Sequence, residues 1–160
     1  MTLLRNRVFW ADWMEKFNNN THKYITPSNG LVVKESEKVK QSVLMGDIEK
    51  AMKASDIVFE NIEYKLSERW KTPKETLEEA AGDCEDVTFL LASMLPNLGI
   101  EESKIQVGRL ETEGGHELHT WNMVDGKVID GTGMSTMVDN TKYKPVNTWL
   151  IRGKKGGVEK

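Results

Sequence analysis

The N-terminal part of the chain, residues 1–67, carries apolar side chains at helical spacing. Trp10, Trp13 and Phe17 follow an i, i+3, i+7 pattern, which predicts a short amphipathic helix. We expect these aromatic side chains to pack on the core of the protein. Insertion of the helix into a membrane surface is the alternative.

A longer helical pattern runs from Glu35 to Trp70 in a stretch rich in Lys, Glu, Ala and Met. Gly46-Asp47 divides this stretch, because Asp47 can cap a second helix. The charged residues between the apolar positions indicate a solvated face. The apolar positions are Val39, Val43, Leu44, Ile48, Met52, Ile57, Val58 and Ile62.

Two further helices are predicted by their start signals. Thr72 and Glu75 form a capping box around Pro73, so a short helix should begin there and end near Ala81-Gly82. A second, strongly apolar helix should begin at Asp83 or Cys84. Pro96 should close that helix early, since its ring clashes with the preceding turn.

After residue 100 the pattern changes to strands. Asp125-Gly126 suits a two-residue type I′ turn and predicts a hairpin. Helices followed by an antiparallel sheet indicate an α+β fold, and we predict one domain over residues 1–160. Within it, 68–152 would form the functional core and 153–160 a frayed tail. The four strands are predicted at Lys104–Glu111, Leu118–Val124, Lys127–Gly131 and Tyr143–Arg152.

Composition narrows the classes of function. The 160 residues carry a net charge of −3 with acids and bases interleaved, which predicts no surface for nucleic acid or an anionic membrane. The single cysteine excludes an internal disulfide, and the apolar runs are too short to span a bilayer. Charged residues interrupt the N-terminus before a signal-peptide core forms, so we expect a cytoplasmic protein.

The run Gly82-Asp83-Cys84-Glu85-Asp86 contains the cysteine. With Asp83 as the N-cap, Cys84 lies at N1, where unpaired helix amides and the helix dipole favour thiolate over thiol. Cys84 would then be a nucleophile at neutral pH, although the carboxylates of Glu85 and Asp86 act in the opposite direction. The alternative for a lone cysteine is a small buried apolar side chain.

The predicted hairpin brings a base and a carboxylate together. With Asp125-Gly126 as the turn, Trp121 pairs with Asp130. His119 then pairs with Thr132. Alternation along the strands places His119, Trp121 and Asp130 on one sheet face. The diagonal from His119 to Asp130 is roughly 7–8 Å, within reach of an imidazole and a carboxylate.

A histidine held by a carboxylate is the base-and-orienter part of a catalytic triad. We therefore predict Cys84 as nucleophile, His119 as base and Asp130 as the residue that orients the base. Asn122 competes as the orienter by proximity in sequence, but in this register it points to the other face. Taken singly, His119 fits a strand histidine satisfied by a neighbour, and Asp130 fits a surface carboxylate.

A zinc site is the main chemical alternative, because Cys84, His116 and His119 are metal-ligand types. His116 and His119 are three residues apart, which puts them on opposite faces of a strand unless Gly114-Gly115 forms a bulge. The sequence offers no second cysteine or third well-spaced histidine. We therefore predict no metal and no cofactor.

These residues resemble the transglutaminase-like superfamily, and in particular its bacterial and archaeal branch of predicted cysteine proteinases. The similarity covers residues 68–133 and keeps the order Cys, His, Asp. Its motifs are Trp70–Leu77, Gly82–Asp86, Leu98–Ile100, His119–Trp121 and Val128–Thr132.

The resemblance implies a papain-like core, with the Cys84 helix packed on an antiparallel sheet that bears His119 and Asp130. It also implies that Cys84 attacks an amide or ester carbonyl of a protein, peptide or small acyl substrate to give a thioester. A hydrolase is favoured, since crosslinking members of the superfamily are often larger. The alternatives are a transglutaminase-type acyltransferase, using Gln side chains and amine acceptors, and a non-enzymatic interaction module on the same fold.

The resemblance also implies an oxyanion hole with the backbone N–H of Cys84 as one donor. The indole N–H of Trp70 is a candidate for the second donor, and a core aromatic is its alternative role. Asp83 and Trp121 are further candidates for binding the oxyanion or the substrate.

Overall fold

The computed structural model describes residues 7–40, 46–67, 69–153 and 157–159. Most of the helical structure lies in the first part of the chain. No helix within these ranges combines the length and the apolar character needed to cross a membrane. The α-helices are α1 (Arg7–Asn20), α2 (Gly30–Lys40), α3 (Asp47–Asn61), α4 (Pro73–Glu79) and α5 (Cys84–Met94).

Two short strands, β1 (Glu63–Tyr64) and β2 (Ala81–Gly82), pair in parallel beside the helices. The main sheet follows, with β3 (Glu102–Thr112), β4 (Gly115–Val124), β5 (Lys127–Ile129), β6 (Tyr143–Arg152) and β7 (Gly157–Glu159). Its strands are antiparallel neighbours in the order β5-β4-β3-β6-β7. Helices packed on an antiparallel sheet confirm the predicted α+β fold.

Capping boxes start the two helices that flank β2. In α5 the carboxylate of Asp83 accepts from the Asp86 N–H at 3.4 Å, and the carboxylate of Asp86 accepts from the Asp83 N–H at 3.2 Å. This reciprocal pair satisfies two amides of the first turn and puts Cys84 at N1, as predicted. Thr72 and Glu75 form the corresponding pair at the start of α4.

Helix α5 lies at the centre of the core, and all of its residues are buried. Aliphatic side chains of α2 and α3 pack on it, with Val32, Val39 and Val58 fully or almost fully buried. A second cluster, which we call the aromatic cluster, joins α5 to α1 and to the sheet. The aromatic cluster consists of Phe17, Tyr24, Trp70, Phe89 and Trp149.

Several predicted helix boundaries shift. The helical pattern ends at Asn61 rather than at Trp70, because the chain then pairs with β2 as strand β1. Gly46, not Asp47, is the N-cap of α3. Helix α5 ends at Met94, and a 3₁₀ turn that contains Pro96 follows it, in agreement with the predicted early closure.

Some predicted core positions can be compared with the structure and others cannot. Phe17 is fully buried, as expected for a side chain that packs on the core. The side chains of Trp10 and Trp13, and the residues Val43 and Leu44, lie outside the described part of the chain.

The hairpin has the predicted turn and register. Asp125 and Gly126 both have positive φ, +48° and +78°, as a type I′ turn requires. The ladder includes the predicted pair Asn122–Ile129. Strand β5 then ends at Ile129 instead of Gly131, because the Asp130 carboxylate accepts from the Thr132 backbone N–H and folds the chain into a turn. The predicted ladder pairs beyond Ile129 are therefore wrong.

The prediction of a frayed tail is wrong for part of that tail. Gly157–Glu159 pairs with the end of β6, and Val158 lies opposite Ile151. Gly153 adopts a positive φ of +60° just after β6, which lets the chain leave that strand. Residues 154–156 and 160 lie outside the described part of the chain.

Candidate active site

Cys84 opens helix α5 and is completely buried. Its thiol lies 3.5 Å from the Glu85 carboxylate, to which it is placed to donate. Glu85 itself is only 3% exposed. The helix N-terminus and a buried carboxylate therefore act on the same sulfur in opposite directions, since the dipole favours thiolate and the carboxylate favours thiol.

His119, on β4, makes its principal contact with Asp130, which follows β5. The distance from His119 Nε2 to Asp130 Oδ2 is 2.8 Å, and both side chains are buried. The predicted proximity of these residues is therefore present, although Asp130 lies in a turn rather than in the ladder. The other ring nitrogen, Nδ1, is buried and makes no hydrogen bond to a nitrogen or oxygen atom among the described residues.

Cys84 acts on the same imidazole. Burial alone would lower the pKa of His119, but the charge of Asp130 and its hydrogen bond raise that pKa well above the usual value. The Cys84 side chain adds to the increase in the pKa of His119, by hydrogen bonding to the ring and by the charge of its thiolate form. Because Asp130 engages Nε2, Nδ1 is the nitrogen that remains for the thiol.

The Asp130 carboxylate is satisfied on both oxygens. Oδ2 accepts from His119 and from the Tyr143 hydroxyl at 2.7 Å. Oδ1 accepts from the Thr132 N–H at 3.0 Å and from the Thr132 hydroxyl at 2.7 Å. Burial alone would raise the pKa of Asp130, but the charge of His119 and these hydrogen bonds hold it far below its usual value.

Tyr143, the first residue of β6, is the site residue that sequence reasoning missed. Its pKa is raised, first by burial and then by the charge and hydrogen bond of Asp130, so it remains a neutral hydroxyl donor. The local sequence carried no signal for this contact, because residues 131–142 have no periodic pattern that predicts where the chain returns.

Asn122 points away from His119, as predicted. Its amide donates to the backbone carbonyl of Thr88 on α5 at 3.1 Å, so it joins the sheet to the helix. Trp121, which is two residues after His119 and therefore on the same face of β4, stacks with it instead. Their ring centroids are 6.1 Å apart. The rejection of Asn122 as the orienting residue therefore agrees with the geometry.

Trp121 and Trp70 occupy different surroundings. Trp121 is fully buried, and its indole N–H donates to the Gln106 side chain at 3.0 Å. Trp70 belongs to the aromatic cluster, 4.7 Å from the Phe17 ring, and Lys16 lies over its face. These contacts favour a core role for Trp70, and its role as an oxyanion donor stays a prediction.

Asp83, Asp86 and His116 make contacts of other kinds, and a role of Asp83 in binding the oxyanion or the substrate stays a prediction. Asp83 is buried as the N-cap of α5, and its other oxygen accepts from the Ser67 N–H at 3.4 Å. Burial, aided by the charge of Glu85, raises the pKa of Asp86 in the same turn. His116 is exposed and lies opposite Glu111 on β3, whereas His119 is buried, so the two do not converge.

Comparisons with known proteins bear on the family and the fold of this chain. The family profile of the transglutaminase-like superfamily matches residues 37–133, more than half of the chain, and so extends further toward the N-terminus than the predicted limit of residue 68. A search of curated proteins finds no match.

Two solved structures share the fold. A candidate cysteine protease from Cytophaga hutchinsonii has a TM-score of 0.60 and 17% identity, over 78% of this chain and 43% of that one. LapG of Legionella pneumophila, in an EGTA-treated form, has a TM-score of 0.54 and 15% identity, over 80% of this chain and 89% of that one. The present chain thus spans less than half the length of the Cytophaga protein.

Proposed function

Since the chain belongs to the transglutaminase-like superfamily, we propose that it is a cysteine-dependent hydrolase that cleaves an amide or ester bond through a thioester. In this proposal Cys84 is the nucleophile, His119 is the acid and base, and Asp130 orients His119. The fold shared with a candidate cysteine protease supports the same class of chemistry.

One observation carries the proposal. Asp130 holds His119 through Nε2 at 2.8 Å, while Nδ1 is left for the thiol that begins α5. A base must be fixed on one side and open on the other to exchange a proton with a nucleophile. A purely structural histidine gains nothing from a buried nitrogen without a conventional partner, because that atom loses its water on folding.

The reaction follows from these positions. In the reactive form the proton of Cys84 resides on His119, and the thiolate attacks the carbonyl carbon to form a C–S bond. The carbonyl oxygen becomes an oxyanion, for which the Cys84 backbone N–H is the proposed first donor. As the intermediate collapses, His119 returns the proton to the leaving nitrogen or oxygen, and that bond breaks. A thioester on Cys84 remains.

Water completes the cycle. His119 takes a proton from water as the water oxygen attacks the thioester, and the carboxylic acid leaves as the C–S bond breaks. The Cys84 thiolate and the protonated His119 with which the reaction began are thereby restored. Because Cys84 is fully buried, the side chains that cover its sulfur must move before an acyl group can reach it.

The first test is the pH dependence of Cys84 alkylation by iodoacetamide. Cys84 is the only cysteine, so the label reports on one site. Reaction should continue well below the free-thiol pKa of about 8.5. In His119→Ala the profile should return to that of an ordinary thiol. The shape of the profile, not the absolute rate, is decisive, because burial slows every reagent.

His116→Ala is the matched control, since His116 lies on the same strand but is exposed. Its alkylation profile should coincide with that of the wild type. An ordinary thiol profile in the wild type, unchanged by His119→Ala, would contradict the proposed nucleophile and base.

Turnover should be followed with p-nitrophenyl acetate and an unfolded protein substrate, and both activities should disappear in Cys84→Ala. Incorporation of a labelled amine would identify transamidation in place of hydrolysis.

A further inference from the structure

We propose that Tyr143 is a positioning residue of this site, which fixes the Asp130 carboxylate so that Asp130 can orient His119. This inference rests on the proposed function, because the value of a fixed imidazole lies in the reaction at Cys84. Tyr143 does not touch the reacting atoms in the proposal, and it acts through Asp130.

The hydrogen bonds that Asp130 accepts hold its carboxylate in a single orientation. Thr132 holds Oδ1 with two donors from the same turn. The hydroxyl of Tyr143, at the start of β6, donates to Oδ2 at 2.7 Å, and His119 contacts the same oxygen. Strand β6 is separated from β5 by β4 and β3 in the sheet. Rotation of the carboxylate would break contacts on both oxygens, so the direction of the Asp130–His119 hydrogen bond is fixed from two separate segments.

The Tyr143 ring is itself held in place. It packs edge-to-face on Trp121 at 5.0 Å, and it lies 6.3 Å from the His119 ring. Trp121 is anchored in turn by its hydrogen bond to Gln106 on β3. The three rings form one packed group, and two of its polar atoms contact the Asp130 carboxylate: Nε2 of His119 and the hydroxyl of Tyr143.

The hydroxyl also sets the basicity of Asp130. A donor on Oδ2 spreads the negative charge of the carboxylate, which weakens its attraction for the proton on His119. Without the hydroxyl, Asp130 should hold that proton more strongly, and the carboxylate should lose its fixed direction. Cys84 on α5 also acts on the imidazole, and Glu85 lies against that thiol; a substitution at Tyr143 changes neither residue.

Tyr143→Phe is the test, because it removes the hydroxyl and keeps the ring. Tyr24→Phe is the matched control, since Tyr24 packs in the aromatic cluster against Phe89. For p-nitrophenyl acetate hydrolysis by Tyr143→Phe we expect kcat to fall about tenfold, the usual cost of one hydrogen bond to a charged group. KM should change little. Tyr24→Phe should match the wild type in both.

A pH readout separates positioning from a structural role. In Tyr143→Phe the alkaline limb of kcat should move upward by about half a pH unit, since Asp130 retains the imidazolium proton longer. NMR titration of His119 should show the same upward shift. A profile that coincides with the wild type, or a loss of melting temperature alone, would overturn the inference.

The wild-type protein provides a second measurement that does not depend on a variant folding. The hydroxyl proton of Tyr143 should exchange slowly with solvent, and its chemical shift should change when His119 titrates. A rapidly exchanging hydroxyl would count against the inference. If Cys84 alkylation responds to His119→Ala while Tyr143→Phe behaves as the wild type, only this inference fails. If His119→Ala leaves the alkylation profile of Cys84 unchanged, the proposed function itself is contradicted.

Discussion

At the scale of single residues, Asp130 offers a direct test of the proposed base. Asp130→Asn keeps the size of the side chain but removes the charge that pairs with His119. We expect kcat/KM for p-nitrophenyl acetate to fall in Asp130→Asn. The loss should be roughly a hundredfold smaller than the loss in Cys84→Ala or His119→Ala. The loss is smaller because the nucleophile and the base both remain.

Asp139→Asn is the control for that measurement. Asp139 accepts from the N–H of Thr141 at 3.0 Å and from its hydroxyl at 2.7 Å, the same local motif that Asp130 makes with Thr132. Asp139 is exposed, however, and should be replaceable without loss of activity. Equal activity of the two variants would mean that Asp130 has no part in orienting His119.

The residue-scale predictions succeeded where local rules apply. The N-cap rule placed Cys84 at N1, and strand alternation put His119 and Trp121 on one side and Asn122 on the other. The role of Tyr143 was not predicted, because Tyr143 lies thirteen positions after Asp130 in the sequence and no strand or helix pattern joins the two. No periodicity or turn signal in that segment specifies where a hydroxyl will return.

At the scale of elements, Gly131 couples the turn that bears Asp130 to helix α5. A Cβ at this position would lie 2.7 Å from Val87 Cγ1 and 2.9 Å from Leu91 Cδ1. Gly131→Ala should therefore push the turn away from the helix and lower the free energy of unfolding by about 1–3 kcal/mol, as overpacking usually does. Activity should fall as well, since Asp130 is the adjacent residue.

Gly133→Ala is the matched control, because a Cβ there would meet no atom of the described residues within 4 Å. Urea unfolding of the two variants measures the difference. Equal stability would show that the turn does not pack closely on α5. A stable Gly131→Ala protein with full activity would show that the position of this turn does not matter for the site.

Element starts were easier to predict than element ends. The capping boxes of α4 and α5 and the Asp125-Gly126 turn depend on residues close in sequence, and all three are present. Helix α3 ends where a distant strand competes for the backbone, and strand β5 ends where the side chain of the next residue does. Pairing with β2 stops the helical pattern after Asn61, and the Asp130 turn stops β5 at Ile129.

At the scale of the whole molecule, the order of the strands in the sheet could not be predicted from the sequence pattern. Strand β6 pairs with β3 rather than with β5, its predecessor in the chain, so the segment between them must connect the two sides of the β3–β4 pair. Alternation predicts the faces of each strand but not its neighbours. The contact between Tyr143 and Asp130 is a product of this crossover, because it joins the beginning of β6 to the end of β5.

The buried His119–Asp130 pair should make the stability of the whole molecule depend on pH. The raised pKa of His119 contributes stability that is complete below its ordinary value of about 6.5 and is lost as the pH rises through the raised value. The lowered pKa of Asp130 contributes stability that is complete above about 3.9 and is lost as the pH falls through the lowered value. Both contributions are complete between about pH 4 and 6.5.

Asp130→Asn should therefore lose most stability inside that window. We expect a deficit of about 3 kcal/mol in the free energy of unfolding near pH 5.5, because removal of one partner leaves a buried imidazole unpaired. The deficit should shrink as the pH rises and His119 becomes neutral in both proteins. Urea unfolding at a series of pH values measures it, with Asp139→Asn as the exposed control. A deficit that is constant with pH would mean that His119 and Asp130 do not form an ion pair in the folded protein.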